Sequence, residues 1–127
     1  MPKRVLVVDD ERGVDDTLKT ILTLSGYDCA VAYTASDALK VVNSFGPHLV
    51  ITDVIMPGMN GIDLASELRT SHPFLPVILL SGNALSQELL AQADESLGPV
   101  LLLPKPFSPR QMLRVVAELT GTMRSTA

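Results

Sequence analysis

The chain has 127 residues, 46% of them apolar and 19% charged, with a formal net charge of -4. This length suits one domain with a core that needs no staples, and the composition excludes a disordered chain. No basic run is present to grip a nucleic acid backbone, no apolar run approaches the ~20 residues of a membrane-crossing helix, and a lone Cys29 cannot form an internal disulfide.

A single domain over residues 1–127 is expected, either standing alone or excised from a larger protein. Arg4 to Val8 is a short apolar run that ends in Asp9 and Asp10, the form of a buried strand and not of a secretory signal. With the single cysteine, this points to the cytoplasm. From Glu11 to Leu24 the residues Val14, Leu18, Ile21 and Leu22 recur on one helical face, and Gly26 stops the helix. Asp28 to Tyr33 reads as a second strand, with Cys29 as a small buried apolar residue. Thr34 or Ser36 can cap a helix with Ala38, Leu39 and Val42 inward, which Gly46-Pro47 breaks. His48 to Thr52 is a third strand, followed by a Pro- and Gly-rich loop from Val54 to Asn60. Gly61 to Ser71 is helical with Leu64, Ala65 and Leu68 inward. Pro76 opens a strand over Val77 to Leu80, and Ala84 to Ala93 reads as a helix ending in solvated Asp94 and Glu95. Pro99 opens a fifth strand, Val100 to Leu103. Ser108-Pro109 supplies an N-cap and a proline at the first helical position. That last helix buries Met112, Val115, Val116 and Leu119 and ends near Gly121. His48 and His72 lack a ligand-spaced partner and read as surface residues.

Five apolar strands alternating with five helices predict an α/β fold with a parallel sheet covered on both faces. Right-handed crossovers leave few topologies, and the doubly wound, flavodoxin-like order 2-1-3-4-5 is one of them. Chemistry in such sheets sits at the carboxyl ends of the strands, beside the switch in strand order. Strand 1 ends in Asp9 and Asp10, strand 3 in Asp53 and strand 4 in Ser81, while strand 5 leads to Lys105. Three crowded carboxylates raise one another's pKa values, and a cation relieves them. Oxygen ligands alone suit a hard ion such as Mg²⁺. A phosphoryl group in transfer needs such a cationic frame, Ser81 can donate to one of its oxygens, and a carboxylate can be the nucleophile.

The runs Val5-Leu6-Val7-Val8-Asp9-Asp10-Glu11, Asp53-Val54-Ile55-Met56-Pro57-Gly58-Met59-Asn60-Gly61, Leu79-Leu80-Ser81-Gly82 and Lys105-Pro106-Phe107 resemble the four signatures of response-regulator receiver domains, the CheY-like family. They stand in family order and spacing across nearly the whole chain. The resemblance implies that Asp53 is the phosphoacceptor and a Mg²⁺ ligand, with Asp10 a direct ligand, Asp9 acting through water and the main-chain carbonyl of Ile55 a third protein ligand. It implies that Ser81 is the switch hydroxyl, that Lys105 pairs with a phosphoryl oxygen, and that the Lys105-Pro106 peptide is cis.

By the same resemblance the donor is a phosphohistidine on a histidine kinase or a histidine phosphotransfer protein, and the output is contact with another protein. The chain would assist its own phosphorylation without being a turnover enzyme. A weak homodimer would use helix 4, strand 5 and helix 5, where Leu85, Leu89 and Leu90 add apolar side chains. Two departures stand out. Leu102 occupies the position three before the lysine where many receivers carry Tyr or Phe, and Pro104 with Pro106 should stiffen the loop and stop sheet pairing. The latter stretch resembles receivers of hybrid sensor kinases as much as free ones. Ile55 and Asn83, two residues after Asp53 and Ser81, offer little to orient a hydrolytic water. An aspartate-nucleophile phosphatase would instead show Asp-x-Asp after strand 1 and a cap domain. A nucleotide-binding module would need a Gly-rich first turn.

Overall fold

Strand β1 (Arg4–Val8) is apolar at four consecutive positions, and all four are buried, because the sheet is covered on both sides. The computed structural model describes residues 2–82, 84–91 and 100–121, with only the backbone for Asp15, Ser86, Gln87 and Leu90. After β1 the chain continues through α1 (Arg12–Leu24), β2 (Asp28–Ala32), α2 (Ala35–Phe45), β3 (Leu49–Asp53), α3 (Gly61–Ser71), β4 (Val77–Ser81), α4 (Ala84–Ala91), β5 (Val100–Pro104) and α5 (Pro109–Thr120). The strands form one parallel sheet in the order β2-β1-β3-β4-β5, the doubly wound order expected from the sequence. The helix read over residues 84–93 is described over Ala84–Ala91, and Asn83, Asp94 and Glu95 lie outside the described residues.

Successive strand residues point to opposite faces, so each strand feeds two cores. Leu6, Val8, Val50, Val77 and Leu79 pack with Ala38 and Val42 of α2 and with Leu64, Ala65 and Leu68 of α3. Val5, Val7, Leu49, Ile51, Ile78 and Leu80 pack with Leu18 and Leu22 of α1 and Met112 and Val116 of α5. The helix ends follow local rules. Thr34 caps α2 by accepting from the Asp37 amide, and Asn60 caps α3 by accepting from the Asp63 amide. Ser108 and Gln111 form a reciprocal capping box with Pro109 in the first turn of α5. Gly46 and Gly121 close α2 and α5 in the left-handed conformation.

Two readings change. Pro104 does not stop sheet pairing: it remains in β5 opposite Ser81, and the next amide, Lys105 N–H, donates to Ser81 O at 2.7 Å. β5 is an edge strand, so the position without an N–H faces away from β4, where no ladder donor is needed. His48 is not simply a surface residue. It is half-buried before β3, and its Nδ1 accepts from the Arg4 amide at 3.0 Å. Its own amide donates to Arg4 O at 2.8 Å, which extends the β1–β3 pairing by one step.

Candidate functional site

The strand order reverses between β1 and β3, and their carboxyl ends carry the acids. Asp9 follows β1 and is 1% exposed, because its amide still bonds to Ala32 O of β2 and its carboxylate turns inward. One oxygen, Oδ1, accepts from the Glu11 amide at 3.0 Å and so ties down the entry to α1. The other, Oδ2, is buried with no hydrogen-bond partner among the described residues. Asp10 is exposed, and Asp53 is half-buried at the end of β3. One carboxylate oxygen from each of Asp9, Asp10 and Asp53 lies within 4.8 Å of the other two.

Burial pushes the Asp9 carboxyl up to about 6; the Glu11 amide pulls it down, the Asp53 charge pushes up, Lys105 pulls down and Asp10 pushes up. Lys105 Nζ lies 3.3 Å from Asp53 Oδ2. The side chains of the pair are 31% and 15% exposed, so solvent weakens the interaction without abolishing it. The Lys105-Pro106 peptide is cis, as the resemblance implied. Ser81 ends β4, is 2% exposed, and its Oγ has no hydrogen-bond partner among the described residues. Ile55 lies half-buried in the β3–α3 loop.

The structure therefore brings Asp9, Asp10 and Asp53 together and puts Lys105 on Asp53. An orphaned, buried carboxylate oxygen inside an oxygen-only cluster fits a hard divalent cation. Asp9, Asp10 and Asp53 are the residues the structure brings together that would hold it; the Ile55 carbonyl is a ligand only by the resemblance.

Three features near or beyond the site were not evident from the sequence. Gly61 reads only as the first residue of a helix, but a Cβ there would strike the main chain of Asp53. Thr52 reads only as the end of the third strand, yet its buried hydroxyl bonds the Asp53 carbonyl. Arg12 stacks over Tyr33 at 4.0 Å to the ring centroid, a cross-element contact with no local pattern to announce it.

These features define a doubly wound α/β domain with an acidic, lysine-backed site at the switch point. A family profile described as response regulator receiver domain matches residues 5–117. The response regulator MprA of Mycolicibacterium vanbaalenii is 34% identical over 126 residues, covering 99% of this chain and 52% of that protein. MprA of Mycobacterium ulcerans is 32% identical over 126 residues, with 99% and 52% covered. The chain thus spans about half the length of the curated relatives it matches. Among solved structures, the receiver domain of NtrX from Brucella abortus superposes with a TM-score of 0.82 at 30% identity, covering 94% of this chain and 99% of that one. A CheY-like receiver domain protein from Methanospirillum hungatei gives 0.84 at 27% identity, with 96% of each chain covered. The chain belongs to the response regulator receiver domain family.

Proposed function

We propose that this chain is a phosphoacceptor signalling switch in which Asp53 takes a phosphoryl group from a phosphohistidine of a histidine kinase or a histidine phosphotransfer protein. The observation that carries this reading is the Lys105–Asp53 ion pair set against a cluster of three carboxylates. A carboxylate alone is a poor docking place for an anionic phosphoryl group; one paired with an ammonium beside a cation-binding cluster is suited to it. Mg²⁺, when bound, neutralises the acids and the phosphoryl oxygens. An oxygen of Asp53 attacks phosphorus, and the P–N bond to the donor imidazole breaks, its electron pair returning to the ring nitrogen. Lys105 follows the charge onto a phosphoryl oxygen, and the buried Ser81 hydroxyl donates to another. The product is an acyl phosphate on Asp53, not a released product, so the chain is not a turnover enzyme on an external substrate. Ile55 presents no polar side chain to a hydrolytic water, which favours persistence.

The added group carries about -1.5 to -2 charges and draws Ser81 toward it. Leu102 packs half-buried against the core on the α2–α3 side, together with Leu89. Repacking from Ser81 to Leu102 would carry the change to the surface of α4, β5 and α5, where Leu85 and Leu101 are exposed. That face is the proposed contact for a downstream protein or for a second copy, with the chain working in the cytoplasm beside its donor. Leu89 is partly buried in the core instead of open for contact, and the Leu90 side chain lies outside the described residues. Light scattering of Leu102→Glu should show weakened association; an unchanged, self-associating variant would remove this face from consideration.

The central test is incubation with acetyl phosphate and Mg²⁺, followed by intact mass. The parent should gain one phosphoryl mass, Asp53→Asn none, and chelation should abolish the gain. Labelling that persists in Asp53→Asn, or without a divalent ion, would overturn the assignment.

A further inference from the structure

We propose that Thr52 and Gly61 are positioning residues for phosphoryl transfer, acting through the main chain of Asp53; the inference rests on Asp53 being the phosphoacceptor. Thr52 precedes Asp53 in β3, and adjacent strand residues point to opposite faces. Its side chain therefore lies on the α3 side with Val50, away from the Asp53 carboxylate. It is fully buried, and its hydroxyl donates to the Asp53 carbonyl oxygen at 3.0 Å. The other acceptor in reach is Met56 Sδ, at 3.9 Å and weak. Met56 is itself buried in the core on that side, so the loop carrying Ile55 is pinned beside the same hydroxyl.

Gly61 approaches the same carbonyl. A Cβ at Gly61 would fall inside the contact distance of Asp53 O, 3.0 Å from Asp53 C and 3.2 Å from Val54 Cα. All three are main-chain atoms and cannot swing aside. The glycine is demanded by space, since its φ is not in the left-handed region. Gly61 N–H donates to Val54 O at 2.8 Å, which closes the loop into a ring with Ile55 inside it. Val54 N–H in turn donates to Leu80 O at 3.1 Å, one residue before Ser81.

The segment that bears the nucleophile is thus held by a hydroxyl, a close-packed Cα and two amide bonds. Displacing it would move the Asp53 carboxylate and the Ile55 carbonyl relative to Lys105 and Asp9, which directly follow other strands. Misplacement of about 1 Å can cost a reaction up to about a hundredfold.

The experiment compares Thr52→Val, Thr52→Ser, Gly61→Ala, Asp53→Asn and Val50→Ala, all confirmed folded by circular dichroism. Val50→Ala opens a cavity on the same strand and face but touches none of these bonds. The readouts are the maximal rate of mass gain with acetyl phosphate and Mg²⁺, and the acetyl phosphate concentration at half that rate. Thr52→Val should lose about tenfold or more in maximal rate with a smaller change in half-saturation, and Thr52→Ser should recover to within about twofold of the parent. Gly61→Ala should lose at least as much as Thr52→Val; if it does not fold, the two Thr52 variants decide. Val50→Ala should lose stability and label at the parent rate. A folded Thr52→Val with the parent rate, a Thr52→Ser no better than Thr52→Val, or an equally slow Val50→Ala would overturn the positioning role. If those results come with a labelled parent and a silent Asp53→Asn, the phosphoacceptor reading survives alone. An unlabelled parent, or labelled Asp53→Asn, sinks both.

Discussion

The two ends of the sheet treat polar groups in opposite ways. At the amino ends, Arg4 Nε donates to Gly46 O at 2.8 Å and the Arg4 amide donates to His48 Nδ1 at 3.0 Å. The His48 amide answers with a bond to Arg4 O. At the carboxyl ends, Asp9 Oδ2 and Ser81 Oγ are buried without partners among the described residues. Buried polar atoms are almost always bonded, so an exception needs a cause. One end is finished as structure. The other leaves a carboxylate oxygen and a hydroxyl unbonded among the described residues, which suits the proposed cation and phosphoryl group.

The largest effect should come from removing the cation that belongs to the chain. Lys105→Met keeps the stem and loses the charge on Asp53. Labelling by acetyl phosphate should slow by about 10²–10³, the loss usual for one charge-stabilising donor. Melting should shift by no more than ~1 kcal/mol, because the pair is partly exposed. A variant that labels at the parent rate would mean that the ammonium is a structural counter-ion only.

Next is Asp9, whose carboxyl is pushed up to about 6 by burial first of all. Its unfolded value is near 3.8, so the folded state binds the proton more tightly. The stability this confers is fully present below about pH 4 and is lost as pH rises through about 6. The shift corresponds to ~3 kcal/mol at most. Without divalent ions, Asp9→Asn should be more stable than the parent at pH 7 to 8 by about 1–3 kcal/mol, with little difference near pH 4. Urea melts at both pH values would check it; the same pH slope in both proteins would place the strain elsewhere. A smaller gain should follow when Mg²⁺ is added to the parent: about 1.4 kcal/mol at ten times its Kd, shrinking in Asp10→Asn. Equal shifts in the two proteins would mean that the ion binds outside the acidic cluster.

The finished end and the reserved end were not equally legible in the sequence. Strand ends carrying Asp9, Asp10, Asp53, Ser81 and Lys105 declare themselves, because acids that directly follow apolar runs are conspicuous and their order in the sheet follows from parallel topology. α3 has the bounds the sequence predicts, since Leu64, Ala65 and Leu68 repeat at helical spacing, and Asn60 caps it in the structure. Side chain–main chain contacts between distant segments leave no local pattern in the sequence. Nothing in the run Gly46-Pro47-His48 says that the imidazole accepts from a strand 44 residues away. Nothing in Asn60-Gly61 separates a glycine needed for φ from one needed for space. Pro104 stays in the sheet against expectation because an edge strand has a side that needs no donors, and sheet order decides which side that is.

His48 offers the smallest and most specific test of the contrast between the two ends. Its Nδ1 can accept from Arg4 N–H only while the imidazole is neutral, with the proton on Nε2. Burial lowers its pKa from the usual 6.5, and the positive charges of Arg4 and Lys3 lower it further. A folded-state value below the unfolded one means that the stability is fully present above about pH 6.5 and is lost as pH falls through the folded value. That slope opposes the one at Asp9, so it should be measured in the Asp9→Asn background. There, His48→Ala should cost ~1 kcal/mol at pH 8, the worth of one hydrogen bond, with less of a penalty at lower pH, where the parent histidine is also losing its bond. His48→Asn supplies an amide oxygen that does not titrate. It should recover stability at pH 8 and lose less of it on acidification than the histidine does. An asparagine variant with the same loss between about pH 7 and 5 would show that the sensitivity comes from other groups.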